Sequence, residues 1–228
     1  MIDEGIEMGE ACLRLEPQEE LQDFDHLSSE RPLVAFDFDG TLTVRDSFTA
    51  FLAWRAGPLN YALGLTKLAA ASVAYLLHRD RGRLKAAALS VFLKGVSRAD
   101  LEHDARAFAE HFNHSLLRPD ALATWRRWRA KGARMVIVTA SPEILVAPFA
   151  RALGADWLLG TNLVFDPNGN VVGVLDGKNC RGEEKVARLK ALFGPEVRLA
   201  AAYGDTSGDA QMLAMADEKG FRVFKGRP

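Results

Sequence analysis

Cysteine is nearly absent from this chain: Cys12 and Cys180 are the only two in 228 residues, and the first lies in an acidic N-terminal stretch. Two thiols so placed supply neither a disulfide framework nor a zinc ligand set, so a reducing, cytoplasmic setting is expected. A run of eighteen uninterrupted apolar residues is also lacking. The nearest approach, residues 61–77, is broken by Lys67. The first residues do not follow the basic-then-apolar order of a secretory leader. No self-similarity recurs at a fixed period, which excludes a repeat array. Strong charge of one sign is missing as well, with a net of −1, but that balance hides an asymmetry. Residues 1–30 hold ten acids and one base, Arg14, so the remaining 198 residues carry a net +8. A positive body suits an anionic ligand, and solvated lysine and arginine faces would give the same count.

What is present is an ordinary globular composition, 48% apolar and 26% charged, in a chain long enough to bury a core. Residues 1–30 read as an acidic, mobile tail with at most a weak helix over 16–24. Residues 33–38 begin as the apolar run Leu33-Val34-Ala35-Phe36 after Pro32, the pattern of a strand buried on both faces. From Asp46 to Arg118 the pattern is helical throughout, with no convincing strand. Helices are expected from Ser47 to the Gly57-Pro58 pair, over 61–77, over 84–94, and from Ser97 through Phe112. Strands and helices then alternate. A helix opened by Pro119 precedes a strand at 135–138, a helix at 143–153 and a hairpin around Asn168-Gly169. A helix at 182–193, a strand at 199–203, a helix at 211–215 and a short strand at 221–224 follow. This rhythm predicts an α/β fold with a doubly wound parallel sheet. The α/β part is expected over 31–46 and 119–228, with a small helical subdomain, 47–118, inserted after the first strand.

Three predicted strands end in polar clusters: Asp37 and Asp39, Thr139 and Ser141, and Asp205 and Asp209. Open α/β sheets put ligands at that edge. Two acids after one strand could be a solvated turn, but several such clusters in one topology suit phosphoryl transfer. Phosphate monoester hydrolysis has an uncatalysed rate gap of about 10²¹-fold, so several devices must act together. An aspartate can take the phosphoryl group as a nucleophile, the role of Asp37. Asp39, two residues on, can protonate the leaving oxygen and later deprotonate water. The Asp37 and Asp205 carboxylates with the backbone carbonyl of Asp39 would offer Mg²⁺ the hard oxygen ligands it prefers. Asp209 would bind metal-bound water or orient a ligand. Thr139, with Ala140 beside it, and Lys185 would hold the phosphate oxygens.

The ordered motifs Asp37-Phe38-Asp39-Gly40-Thr41, Thr139-Ala140-Ser141, Lys185 and Gly204-Asp205-Thr206-Ser207-Gly208-Asp209 resemble those of the haloacid dehalogenase (HAD) phosphohydrolase superfamily. The resemblance spans Pro32 to Phe224. It implies a HAD-like Rossmannoid core, a C1-type helical cap, Mg²⁺ as cofactor, and Asp37 and Asp39 as nucleophile and acid/base. The run Cys180-Arg181-Gly182-Glu183-Glu184-Lys185 is similar to subfamily IB, which includes phosphoserine-phosphatase-like and phosphatidylglycerophosphatase C-like proteins. Phosphoserine phosphatases usually have Ser where this chain has Gly40, and Ser-Gly-Gly where it has Thr139-Ala140-Ser141. Asp46 stands where they carry an amino-group-binding Glu, and Lys85 is nearest to their carboxylate-binding arginine. Arg181 and Lys178 compete with Lys185 for the phosphate contact.

The expectation is therefore a Mg²⁺-dependent phosphomonoester hydrolase acting on a small phosphorylated metabolite, phosphoserine-like, in the cytoplasm and without a nucleic-acid partner. A lipid-phosphate phosphatase peripheral to the inner membrane is the alternative. There, residues 61–77 with Arg55, Lys67, Arg79, Arg81 and Arg83 would meet an anionic surface. A phosphomutase and a non-catalytic regulatory protein on the same fold are the further alternatives.

Overall fold

The computed structural model describes residues 13–14, 31–69 and 81–228. The expected tail helix at 16–24 and the second half of the 61–77 stretch lie outside the described residues. The elements are β1 (Leu13–Arg14), β2 (Leu33–Phe36), α1 (Ser47–Lys67), α2 (Arg81–Phe92), α3 (Arg98–Leu116), α4 (Pro119–Ala130) and β3 (Arg134–Pro142). There follow α5 (Glu143–Leu153), β4 (Trp157–Phe165), β5 (Val171–Asp176), α6 (Glu183–Phe193), β6 (Leu199–Gly204), α7 (Ala210–Ala214) and β7 (Ala216–Phe221).

Apolar residues alternate between two faces along each central strand, because strand side chains have a period of two. Val34, Phe36, Met135, Ile137 and Tyr203 join the core shared with α3, α4 and α5. Leu33, Ala35, Val136, Val138 and Ala202 join the opposite one with Leu189 of α6 and Met212 of α7. Burial on both faces is the condition of a parallel sheet. The order is β1-β4-β3-β2-β6-β7, with β4, β3, β2, β6 and β7 mutually parallel and β1 antiparallel at the edge. The chain moves outward from β2 through β3 to β4, then returns to the other side of β2 for β6. That reversal puts the topological switch point beside β2, where a ligand crevice is expected.

The last strand departs from the sequence reading. It runs over Ala216–Phe221 rather than 221–224, and it pairs with β6 through the polar stretch Asp217-Glu218-Lys219. An edge strand keeps one side in water, so its polarity conceals it from an apolar pattern. Strand β4 likewise begins at Trp157, earlier than the expected hairpin strand. Helix α1 bends at Gly57 (φ 72°, ψ 164°), and Pro58 opens the second piece, so the expected break is a kink between two helical pieces. Asp46, not Ser47, caps its start by accepting from the Thr49 N–H at 2.7 Å. The Ser97 cap holds as read, accepting from the Asp100 N–H at 3.1 Å.

The β4–β5 hairpin leaves the sheet and joins the helices. Gly95 N–H donates to Val171 O (2.8 Å), Val171 N–H to Val96 O (2.8 Å) and Arg98 N–H to Gly169 O (2.8 Å). These helices and the hairpin stand above the end of the sheet that carries the polar clusters.

Candidate active site

Phe36 ends β2, and Asp37 is the first residue past it, with its N–H on Tyr203 O at 2.9 Å. Phe38 to Thr43 then form one wide turn closed by Thr43 N–H on Phe38 O at 3.0 Å. Asp39 (φ −76°, ψ 121°) and Gly40 (φ 80°, ψ −15°) have the angles of a type II turn, whose second central position favours glycine. A Cβ on Gly40 would also stand 2.8 Å from the Asp205 carboxyl carbon. The glycine therefore lets the first and last motifs approach each other.

Lys185 lies in the first turn of α6 and is 1% exposed. Its Nζ donates to Asp37 Oδ1 (2.6 Å), Asp209 Oδ1 (2.7 Å) and Val138 O (2.6 Å), which uses all three of its hydrogens. Val138 can offer that carbonyl because the β3–β4 register slips between Val138 and Pro142. Such a bulge frees backbone groups from the ladder. Burial alone would lower the lysine's pKa, but Asp37 and Asp209 outweigh it and hold the ammonium above its ordinary range. Burial pushes the Asp37 carboxyl up to about 7, with Lys185 opposing and Asp209 and Asp39 adding to the rise.

The Asp39 carboxylate turns away from that lysine. Its Oδ1 accepts the Ser47 N–H at the start of α1 (2.6 Å), and its Oδ2 accepts the Ser141 hydroxyl (2.5 Å). Burial, then the nearby Asp46 charge, raise its pKa despite those donors. The two carboxylates thus occupy different environments, one ion-paired and one held by neutral donors.

Asp37, Asp205 and Asp209 bring carboxylate oxygens within 4.8 Å of one another. Asp209 is fully engaged: Oδ1 takes Lys185, while Oδ2 takes Thr206 N–H (2.9 Å) and Oγ1 (2.9 Å) and Asp205 N–H (3.3 Å). Burial raises the Asp209 pKa, but Lys185 and Thr206 outweigh it and leave it below the usual range. Asp205 differs, because its buried Oδ1 has no hydrogen-bond partner, and burial followed by Asp209 raises its pKa. An orphaned carboxylate oxygen facing a second carboxylate fits a hard divalent cation. Asp37 and Asp205 are the available side-chain ligands, and Asp209 serves as their brace. With its carboxylate committed to Ser47 and Ser141, Asp39 has only its backbone carbonyl to offer such an ion.

Of the remaining sequence candidates, Ala140 lines the cavity, while Thr139 is wholly buried with its Oγ1 accepting the Ser141 N–H (3.0 Å). Arg181 lines the rim and is held by Thr206 Oγ1 (3.1 Å) and Ser207 Oγ (3.2 Å). Lys178 is exposed and away from the cavity. Asp46 is exposed at the rim. Ser141 and the Ser47 N–H, whose roles had no signal in the sequence, are the groups that hold Asp39. Lys85 of α2 reaches across to Ala140 O and stands 5.6 Å from the Phe48 ring centre. Burial lowers its pKa, with Asp39 and Asp46 opposing. Above the polar floor the cavity encloses about 740 Å³, and its upper wall is apolar: Phe48, Leu52, Leu68, Leu84, Ala88 and Phe92.

A parallel sheet with a buried aspartate at its switch point, a lysine paired to it and a second pair of acids just past the neighbouring strand mark a Rossmannoid hydrolase. The haloacid dehalogenase-like hydrolase family profile matches residues 34–214, and the chain belongs to that family. Protein CicA of Caulobacter vibrioides is 64% identical over 202 residues, which cover 89% of this chain and 90% of that protein. A solved protein of unknown function from Bordetella pertussis Tohama I superposes with a TM-score of 0.69 at 23% identity, covering 83% of this chain and 88% of the other. A phospho-aspartyl intermediate analogue of phosphoserine phosphatase gives 0.56 at 20% identity, over 83% and 85% of the two chains. These structural likenesses establish the fold. Among the described residues no helix is long and apolar enough to cross a membrane.

Proposed function

We propose that the protein is a Mg²⁺-dependent phosphomonoesterase that works through a phosphorylated Asp37 and acts on a small phosphorylated metabolite. The observation that carries the reading is Asp37 itself, buried, first past the central strand and 2.6 Å from the Lys185 ammonium. In the first step an Asp37 carboxylate oxygen forms a bond to phosphorus as the bond to the leaving oxygen breaks. The Asp39 carboxyl, whose pKa burial raises, gives its proton to that leaving oxygen. In the second step water attacks phosphorus, Asp39 takes a proton from it, and the Asp37–phosphorus bond breaks to release phosphate. Lys185 keeps Asp37 and Asp209 in place throughout and offsets their repulsion.

Four clustered acids against one fully buried ammonium leave room for more positive charge, and the orphaned Asp205 Oδ1 marks where. Bound there, Mg²⁺ would stabilise the negative charge of the transferring phosphoryl group. Asp37→Asn should abolish p-nitrophenyl phosphate turnover in Mg²⁺, as should EDTA; full activity in the variant defeats the reading.

A second reading, a lipid phosphate presented at a membrane surface, draws support from the apolar upper wall of the cavity, which offers a hydrocarbon group more contact than a zwitterionic amino acid. A screen with phosphoserine, other small phosphomonoesters and phosphatidylglycerophosphate side by side separates the two. Turnover confined to the lipid would replace the first reading with the second.

A further inference from the structure

The turn that carries Asp39 is tied to a segment 186 residues further along, near Gly226. Residues 42–44 run antiparallel to 116–118, with Val44 N–H on Leu116 O (2.8 Å) and Arg118 N–H on Leu42 O (2.8 Å). That pairing brings the Arg118 side chain beneath the turn. Its Nε donates to Thr43 O (3.1 Å) and Gly40 O (3.3 Å), and its Nη1 donates to Gly226 O (3.0 Å). Gly226 is fixed in turn. Asp120 Oδ2 accepts the Lys225 N–H (2.6 Å) and the Gly226 N–H (2.7 Å). The Phe224 ring lies 5.3 Å from Tyr203 and 6.3 Å from Phe36, the aromatics of the two strands that deliver Asp205 and Asp37.

A guanidinium that bridges carbonyls on both sides of a turn fixes the planes of their peptides, because its donors form a rigid fork. The Gly40 carbonyl belongs to the Gly40–Thr41 peptide, the second one beyond Asp39, so fixing it with Thr43 O limits how far the turn can swing the Asp39 carboxyl. Arg118 also lines the cavity floor. Among the described residues its side-chain hydrogen bonds go to backbone carbonyls alone, which marks it as a brace.

We propose that Arg118, clamped against Gly226 by Asp120, is a positioning residue for the acid/base step, and that residues 224–226 belong to the active-site scaffold. The inference rests on the assignment of Asp39 as the acid in the reading above. A misplacement of about 1 Å at a reacting group can cost on the order of 100-fold in rate. The cost of a misplaced acid depends on the leaving group: an alkoxide needs the proton, and a nitrophenolate leaves almost unaided.

The test compares kcat/KM for an alkyl phosphate and for p-nitrophenyl phosphate in Mg²⁺, since kcat/KM reports the step that forms the phosphoenzyme. Arg118→Ala should lose on the order of 100-fold on the alkyl ester and roughly tenfold or less on the nitrophenyl ester. Asp120→Ala, whose side chain lies outside the cavity, should show the same selectivity at smaller size and decides the matter if Arg118→Ala does not fold. Equal losses on both esters, or native rates, overturn the proposal. Asp39→Asn runs alongside. If it shows the steep leaving-group dependence while the Arg118 and Asp120 variants are flat, the brace is wrong and the acid assignment stands. If Asp39→Asn is itself flat, the acid assignment falls and takes the brace with it.

Discussion

Lys185 Nζ stands between Asp37 Oδ1 at 2.6 Å and Asp209 Oδ1 at 2.7 Å, so a single buried ammonium joins the proposed nucleophile to the loop after β6. Replacing it by Met leaves two buried carboxylates facing each other with no counter-charge. Removing one partner of a buried pair costs about 3–5 kcal/mol. Lys185→Met should therefore show a clearly lower urea midpoint and no measurable phosphatase turnover. Lys185→Arg should not restore activity, because a planar fork cannot point at three acceptors around one nitrogen. A Lys185→Arg enzyme of native activity would show that only charge is needed there.

The orphaned oxygen of Asp205 yields a prediction that does not depend on turnover. Asp205→Asn should weaken Mg²⁺ binding measured by calorimetry by at least the roughly 10–100-fold seen when a metal site loses an outer partner. In EDTA the same variant should unfold at a higher temperature than the native protein, since it removes one of several mutually repelling acids. Unchanged Mg²⁺ affinity would move the cation site away from Asp205.

Asp37 and Asp205 were readable in the sequence because each follows an apolar run, and an apolar run that stops in a carboxylate is a local pattern. Lys185 was readable only as one of three cations near 178–185, since nothing local says which side chain turns inward. Ser141 was readable as part of a polar cluster, but that it and Ser47 hold Asp39 was not. Ser141 is separated from it by 102 positions, and the Ser47 contact comes from a backbone N–H. Any residue but proline has such a donor, so residue type carries no signal for it. Strand β7 was displaced for a different reason, because an edge strand with Asp217, Glu218 and Lys219 satisfies no apolar period. The cavity's apolar wall was foreshadowed by the composition of 47–118, but its assembly over the catalytic floor depends on long-range packing.

Gly40 tests how closely the first and last motifs must approach. At φ 80° a side chain is strained, and its Cβ would press on the Asp205 carboxyl carbon at 2.8 Å. A non-glycine residue held in such a region costs about 1–3 kcal/mol. Gly40→Ala should lower the unfolding midpoint accordingly and reduce Mg²⁺-supported turnover more than stability alone explains, because Asp205 is displaced. Native turnover at full folding would mean that the turn can relax away from Asp205 without consequence.

Glu143 offers a pH-dependent prediction away from the reacting groups. It opens α5, and its Oε1 accepts the Gly160 N–H at 2.7 Å. Burial pushes its carboxyl up to about 7, with the Gly160 N–H and the Arg188 charge opposing. The folded protein thus binds this proton more tightly than the unfolded chain, whose carboxyl keeps the ordinary 4.5. Below that value both states are protonated and the group adds no penalty. As pH rises towards 7 the unfolded chain ionises first, and stability falls until the folded carboxyl has also lost its proton. Glu143→Gln keeps the acceptor for Gly160 and cannot ionise. Relative to the native protein it should gain on the order of 1–3 kcal/mol between pH 5 and pH 8, at 1.36 kcal/mol per pKa unit and less where water screens the group. Urea midpoints at the two pH values measure this directly. A difference between variant and native protein that is the same at both would mean that Glu143 is ionised in the fold at little cost.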